Sequence, residues 1–432
     1  MKAGHGLFFC FITVFSLLAQ AGSGYDTFSV AVSDETDVPV RFYAAPAPQP
    51  VSLLWLPSER GFQASEYRTA EALAQAGLSV YFADLHSAYF VTRTSRSIDQ
   101  FRARELAVLI DKLGKRSNGR LVLVSSGKGV IAVLQAMRQW QLRYLANGSK
   151  TTLVQGAVLI SGKYFLRTPE PGMEGEFYPV VSLTSMPLVM VQPVKSPWFW
   201  KLSKTVPVLR RGGSPVFVRT LAGVRDRFYF RPDATPLERQ TGSKLALILR
   251  RAVRLLQPYS KPVFAAASKP AAKPAKSGRS RKSGRRLSIY RGNPVPPALD
   301  LETLSGGRLA LRTLKQHVVL VNFWASWCPP CVHEMPSMQK LSDRFSSRKF
   351  RILAVNMGET RATINRFLQQ KVAVNFPILL DSDGKALSRW KVYAFPTSYL
   401  VGKKGSIRYA VFGAIDWSAP AVVGIVEKLL AE

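Results

Sequence analysis

Positions 318 to 331 read Val318-Val319-Leu320-Val321-Asn322-Phe323-Trp324-Ala325-Ser326-Trp327-Cys328-Pro329-Pro330-Cys331. The first half is an apolar run of strand length, and the stretch after Cys331, Val332 to Phe345, can be helix. A strand feeding a Cys-x-x-Cys at the start of a helix has a physical rationale as a redox site. The helix N-terminus offers unpaired N–H groups and a partial positive charge, and both favour thiolate over thiol. In such motifs the first cysteine titrates well below the free value of about 8.5. The thiolate is the form that attacks disulfides.

The rest of the chain bears on those two cysteines. Lys2 precedes an apolar run from Leu7 to Leu18 and then Ala19-Gln20-Ala21, the pattern of a secretory leader with a small-x-small cleavage site. The run is short of the roughly 20 residues that span a bilayer. Residues 1–21 are therefore expected to be a cleaved signal peptide, an uncleaved anchor being the alternative, and the protein to be periplasmic. Cleavage removes Cys10 and leaves Cys328 and Cys331 as the only cysteines. An exported chain with one close pair and no other cysteine uses that pair for chemistry.

Formal charge is +33 over 432 residues, unevenly placed. Lys261 to Gly292 holds ten basic residues and no acidic one, with repeated Lys-Pro and Ser-Gly pairs. Residues 259–292 are expected to be an extended, self-repelling linker between residues 22–258 and 293–432. The surplus suits an anionic surface such as phospholipid headgroups. Nucleic acid is disfavoured as a partner, since no basic stripe is interleaved with aromatics.

Residues 22–258 alternate apolar strand runs with helix patterns, which implies α/β class and a mostly parallel sheet. Strands are expected at Val51 to Leu56, Leu78 to Ala83, Leu121 to Val124, Leu153 to Ile160, Pro187 to Val191 and Pro215 to Thr220. Helices are expected at Ala64 to Ala76, Ile98 to Leu113, Gly129 to Trp140 and Pro236 to Leu256, after an opening antiparallel pair near Thr27 to Val32 and Val38 to Tyr43. The order resembles an α/β-hydrolase. That fold places a nucleophile on a tight strand-to-helix turn with small residues two before and two after it. Here Ser125, Gly127 and Gly129 fit the frame, so Gly127 stands in the nucleophile's place. No histidine lies between His86 and His317, so the base is missing too. A hydrolase-like scaffold without the triad is expected, with a residual Ser126 or Ser161 hydrolase as the alternative.

From Asn293 onward the chain resembles the thioredoxin superfamily, and within it the TlpA/ResA-like exported thiol–disulfide oxidoreductases. The likeness rests on Phe323 to Cys331, on Glu334-Met335-Pro336, on Ala354 to Glu359, on Phe376 to Asp381 after a helix near Thr363 to Gln370, and on Ala394-Phe395-Pro396-Thr397. It implies that Cys328 attacks and Cys331 resolves, and that Pro396 is a cis-proline facing them. Trp327, Phe395 and Pro396 would then bind substrate, with the backbone of Phe395 pairing with an extended chain. Thioredoxin's buried aspartate is replaced by Asn322, so the resemblance assigns the proton to Glu334, with Glu359 as second candidate. Cys328 is expected to be exposed. No cofactor is implied. Zinc would need about four ligands, with only His317 and His333 nearby. Covalent haem would need histidine where Val332 stands. The implied partners are disulfide-containing proteins and a thiol electron donor, and the competing class is an adaptor whose first domain recruits a client.

Overall fold

Eight strands between Asp26 and Arg225 form one sheet in the computed structural model, which describes residues 24–117, 119–146, 153–259 and 286–432. They are β1 (Asp26–Ala31), β2 (Asp37–Tyr43), β3 (Val51–Trp55), β4 (Val80–Ala83), β5 (Arg120–Ser126), β6 (Val154–Ile160), β7 (Leu188–Lys195) and β8 (Val216–Arg225). Their spatial order is β1-β2-β4-β3-β5-β6-β7-β8. Only the β1–β2 and β2–β4 pairs are antiparallel. Strands β3, β4 and β6 are buried throughout, as central parallel strands covered on both faces must be. Alternation along β5 shows the two faces. Leu121 and Leu123 enter the core shared with α3 (Ala103–Arg116), α4 (Gly129–Ala146) and α5 (Leu202–Arg211). Val122 and Val124 enter the core under α1 (Ala64–Gln75) and α7 (Leu245–Leu256). The short α2 (Leu85–Ala88) follows β4, and α6 (Pro236–Ser243) precedes α7.

The helix expected from Ile98 starts later. Ser97–Gln100 is a 3-10 turn, Phe101 and Arg102 are extended, and α3 begins at Ala103. Ile98 and Phe101 are apolar because that connection is buried, not because it is helical. Gly114 does not end α3, which continues to Arg116, and Leu153 packs against the glycine. The single closing helix expected from Pro236 is two. Gly242 packs against the Tyr229 backbone, and the chain breaks at Lys244, consistent with glycine's weak hold on helix. The reading from sequence missed α5, which carries Pro207 inside it.

The second sheet has the order β11-β10-β14-β13-β12-β15-β16-β9. Its strands are β9 (Ser288–Ile289), β10 (Asp300–Thr303), β11 (Arg308–Ala310), β12 (Val318–Trp324), β13 (Phe350–Met357), β14 (Ile378–Asp381), β15 (Thr397–Val401) and β16 (Ile407–Phe412). β12, β13 and β14 run parallel, and β15 returns antiparallel to β12. Val318, Leu320 and Trp324 of β12 meet α8 (Pro329–Arg344) and α11 (Pro420–Ala431). Val319, Val321 and Phe323 meet α10 (Lys385–Arg389) on the other face, while α9 (Arg361–Gln370) lies between β13 and β14 in sequence. The expected linker is shorter than 259–292 at its far end. Ser288 and Ile289 pair with β16 and Leu287 is buried, because Leu-Ser-Ile-Tyr is an alternating run that can add to a sheet edge. The expected leader 1–21 and positions 260–285 lie outside the described residues.

The two sheets meet along a specific seam. The indole of Trp200 lies against Gly358 and Gly384, both in the left-handed region, where any Cβ would collide with the ring. The Tyr393 hydroxyl donates to Glu174 Oε2 at 2.7 Å and accepts from Gly175 N at 3.0 Å. The Lys201 ammonium, buried, sits 4.1 Å from the centre of the Tyr393 ring. Burial without a hydrogen-bonding partner pushes that ammonium down to about 7.

Candidate active site

Strand β12 ends at Trp324, and a three-residue loop delivers Cys328 as the N-cap of α8. Pro329 opens the helix, where a missing N–H costs nothing. The Cys331 backbone N–H donates to Cys328 Sγ at 3.3 Å, so the helix end points a donor at the first sulfur. Cys328 and Cys331 form a disulfide, with S–S 2.06 Å. Cys331 is fully buried. Cys328 is only 5% exposed, contrary to the expectation of an open thiol. Cys328 packs into the core of its own sheet, and the first sheet's loops form the opposite wall of the cleft that it lines.

Glu359 holds the loop in front of the cysteines. It accepts from Ser326 N at 2.7 Å, from Ser326 Oγ at 2.5 Å and from Asn356 Nδ2 at 2.9 Å. Those bonds occupy both of its oxygens and make it a brace. On the other side, the Phe395–Pro396 peptide is cis. Thr397 Oγ1 donates to Ala394 O at 2.7 Å and Gly413 N to Pro396 O at 2.7 Å, which fix the turn. The rings of Trp327 and Phe395 meet edge to face at 5.7 Å.

Glu334, one helical turn beyond Cys331, is buried. Its Oε1 accepts from Asn322 Nδ2 at 2.8 Å, and Oε2 accepts from Trp417 Nε1 at 3.2 Å and Ile415 N at 3.3 Å. Asn322 Nδ2 also donates to Ser398 Oγ at 2.9 Å, so β12 and β15 together position the carboxyl. Burial raises Glu334 to about 7, outweighing the three hydrogen bonds that favour its charge. A carboxyl poised there exchanges a proton near neutrality.

That shift has a stability consequence. The unfolded chain loses the Glu334 proton near 4.5, while the folded chain keeps it to about 7. Stability from this group is therefore full below 4.5 and declines as pH rises to about 7. The total is on the order of 3 kcal/mol. Glu334→Gln should remove this decline, so that variant and wild type diverge between pH 5 and 8 in urea unfolding. Parallel curves for the two proteins would refute the assignment.

The cleft's far wall contains residues that the sequence did not connect with the cysteines. Gly127 occupies the turn between β5 and α4 with φ +58°, and a Cβ there would collide with the Glu59 carboxylate. Glu59 Oε2 accepts from Lys128 N at 2.8 Å, and its Oε1 pairs with Lys163 Nζ at 2.6 Å. The Glu59 carboxylate thus closes off the space over the Gly127 turn. Ser126 and Ser161 are buried nearby. His86 lies elsewhere, bonded through Nε2 to Ser97 Oγ at 3.0 Å and edge-on to Phe101. Asp226, at the end of β8, accepts from Ser196 Oγ at 2.8 Å, and burial raises it to about 6. The only sequence signal for this wall is Arg225-Asp226-Arg227 in the loop after the last strand.

Residues 292–410 match the AhpC/TSA family. The thiol-disulfide oxidoreductase ResA of Bacillus subtilis (strain 168) is 36% identical over 131 residues, which are 30% of this chain and 72% of that protein. ResA of Halalkalibacterium halodurans is 36% identical over 120 residues, 28% of this chain and 68% of that protein. Among solved structures, StoA from Bacillus subtilis is 26% identical and covers 32% of this chain and 98% of its own, with a TM-score of 0.27. No helix among the described residues is long and apolar enough to cross a membrane.

Proposed function

We propose, for a chain that belongs through its C-terminal domain to the ResA-type thiol–disulfide oxidoreductases, that Cys328 and Cys331 reduce disulfides of exported envelope proteins. One observation carries the reading. The pair sits at a helix N-terminus with the Cys331 N–H on Cys328 Sγ, and a buried, protonatable Glu334 stands one turn beyond.

In the reduced pair the Cys328 thiolate attacks one sulfur of the client disulfide. The client S–S bond breaks and a Cys328–client S–S bond forms. The other client sulfur leaves as a thiolate and takes a proton from water. Cys331 gives its thiol proton to the Glu334 carboxylate, attacks Cys328 Sγ, and displaces the second client sulfur. The client has gained two electrons, and the cysteine pair is left as the disulfide present here. A dithiol donor resets the pair by the same exchange in reverse. Trp327 and Phe395 line the cleft over Cys328 and, with the cis Pro396 setting the turn behind Phe395, are read as the client-binding residues.

Trapping tests this reading. Cys331→Ser removes the resolving thiol and should accumulate client proteins as mixed disulfides on Cys328, released by a small reductant. Absence of such adducts from envelope extracts that the wild-type protein reduces would overturn the proposal.

The first sheet is read as a non-catalytic α/β-hydrolase-like scaffold. Its strand order and the turn at Gly127 support the likeness, and the Glu59 carboxylate closing off the space over that turn argues against residual hydrolysis through Ser126 or Ser161. The adaptor reading has its own support, because this half forms part of the cleft that holds Cys328. Export rests on residues 1–21, and contact with an anionic membrane surface rests on the basic segment between the sheets.

A further inference from the structure

The cleft over Cys328 has a volume of about 420 Å³ and two walls of different origin. Trp327, Cys328, Pro330 and Phe395 form one, and loops of the first sheet form the other. A site of this size takes a small molecule or a few residues of an extended chain. Cys328 is 5% exposed, so a disulfide that reaches it has to enter the cleft.

The far wall is strongly cationic. Arg60, Lys163, Lys195, Arg225, Arg227 and Arg231 line the cleft, against two acids, Glu59 and Asp226. Half of these cations are already matched. Lys163 pairs with Glu59, Arg225 with Glu238 and Asp233, and Arg231 with Asp233. Among the described residues Arg60, Lys195 and Arg227 have no carboxylate at ion-pair distance. The residues outside the description include no Asp or Glu. Burial, and then the charges of Arg60 and Arg231, push the Arg227 guanidinium below its ordinary value. Like charges confined in a partly desolvated cleft are relieved by an anion, and guanidinium groups match carboxylates in geometry.

We propose that this wall selects disulfides flanked by carboxylates, making the first sheet the specificity element of the reductase. The inference rests on the redox reading above and adds a substrate class to it. The chemistry of the exchange is unchanged. The carboxylates of the entering disulfide lie toward Arg60 and Arg227 while one of its sulfurs meets Cys328 Sγ. The favoured source is an acidic segment of a protein, because the redox reading takes protein disulfides as clients and about 420 Å³ accommodates a few residues of an extended chain.

The test is a single-turnover assay with the full-length, pre-reduced protein, which needs no electron donor. Three peptide disulfides identical except for flanking Asp, Ser or Lys are compared, together with 3,3′-dithiodipropionate and its dimethyl ester. The Asp-flanked peptide should react at least about tenfold faster than the Lys-flanked one, as opposed charge patterns dictate. The ratio should shrink as salt is raised in the wild-type protein, independently of any variant. The double variant Arg60→Gln, Arg227→Gln should bring the ratio close to one. Equal wild-type rates for all three peptides, or a ratio unmoved by both salt and the double variant, would overturn the inference while leaving the redox reading intact. Discrimination only between the dicarboxylate and its ester would keep the carboxylate chemistry but overturn the protein source. Failure to reduce any disulfide, in wild type as in Cys328→Ser, would instead overturn the redox reading.

Discussion

Cys328→Ser loses disulfide exchange, with turnover of a model disulfide falling by about a thousandfold or more, the scale of nucleophile removal in other enzymes. The loss is chemical. Serine is a preferred N-cap, so α8 keeps its start, and the Cys331 N–H keeps an acceptor at position 328. A serine hydroxyl stays protonated where the thiol ionises, so the helix end has no anion to stabilise. The lost disulfide closes a very short loop, and its removal changes stability little. Reduction of a chromogenic disulfide alongside a thermal melt separates the two. A variant that melts like wild type and retains a tenth of its turnover would contradict the assignment of Cys328 as the nucleophile.

Glu238→Ala is expected to cost about 3–5 kcal/mol, the scale for leaving a buried charge without its partner. The Glu238 side chain is 1% exposed and accepts four hydrogen bonds. Arg225 donates from N at 2.9 Å, Nε at 2.7 Å and Nη2 at 2.6 Å, and Thr235 N donates at 2.9 Å. Burial by itself would raise this carboxyl, but the Arg225 and Thr235 bonds outweigh it and hold Glu238 at about 2. Its stabilisation is therefore complete above the unfolded value near 4.5 and is lost as pH falls through about 2. In the variant Arg225 retains only Asp233, which is half-exposed. Urea unfolding at pH 7 checks the size of the loss, and a change below about 1 kcal/mol would show the pair to be no better than a surface bridge. Because Arg225 anchors the loop that carries Asp226, Arg227 and Arg231, the same variant should also slow reaction with the Asp-flanked disulfide.

The redox site was legible because its parts are local or tied to single motifs. The apolar run before Cys328, the proline after it, Glu334 at one helical turn and Pro396 ahead of a strand each carry their meaning within a few residues. The first sheet was legible for the same reason, since its central strands are continuous apolar runs. What failed needed distant partners. Ile98 and Phe101 read as helix because burial of a loop leaves the same apolar residues as a helical face. Pro207 concealed α5, and Gly242 divided a helix that periodicity joined. Cys328 was expected to be open because nothing near it in sequence covers it. The residues opposite come from five stretches, around Arg60, Gly127, Lys163, Lys195 and Arg227, all more than 90 positions upstream of the motif.

The seat of Trp200 on Gly358 and Gly384 limits how far this protein can be treated as modular. Those two backbone sites belong to the redox sheet, yet the indole they accommodate belongs to the other sheet. A thioredoxin-like domain transplanted from elsewhere would need two left-handed glycines spaced as these are to accept that indole, and ordinary side chains there would wedge the halves apart. The tryptophan and the glycines are thus a matched set, and exchanging either half alone breaks the fit.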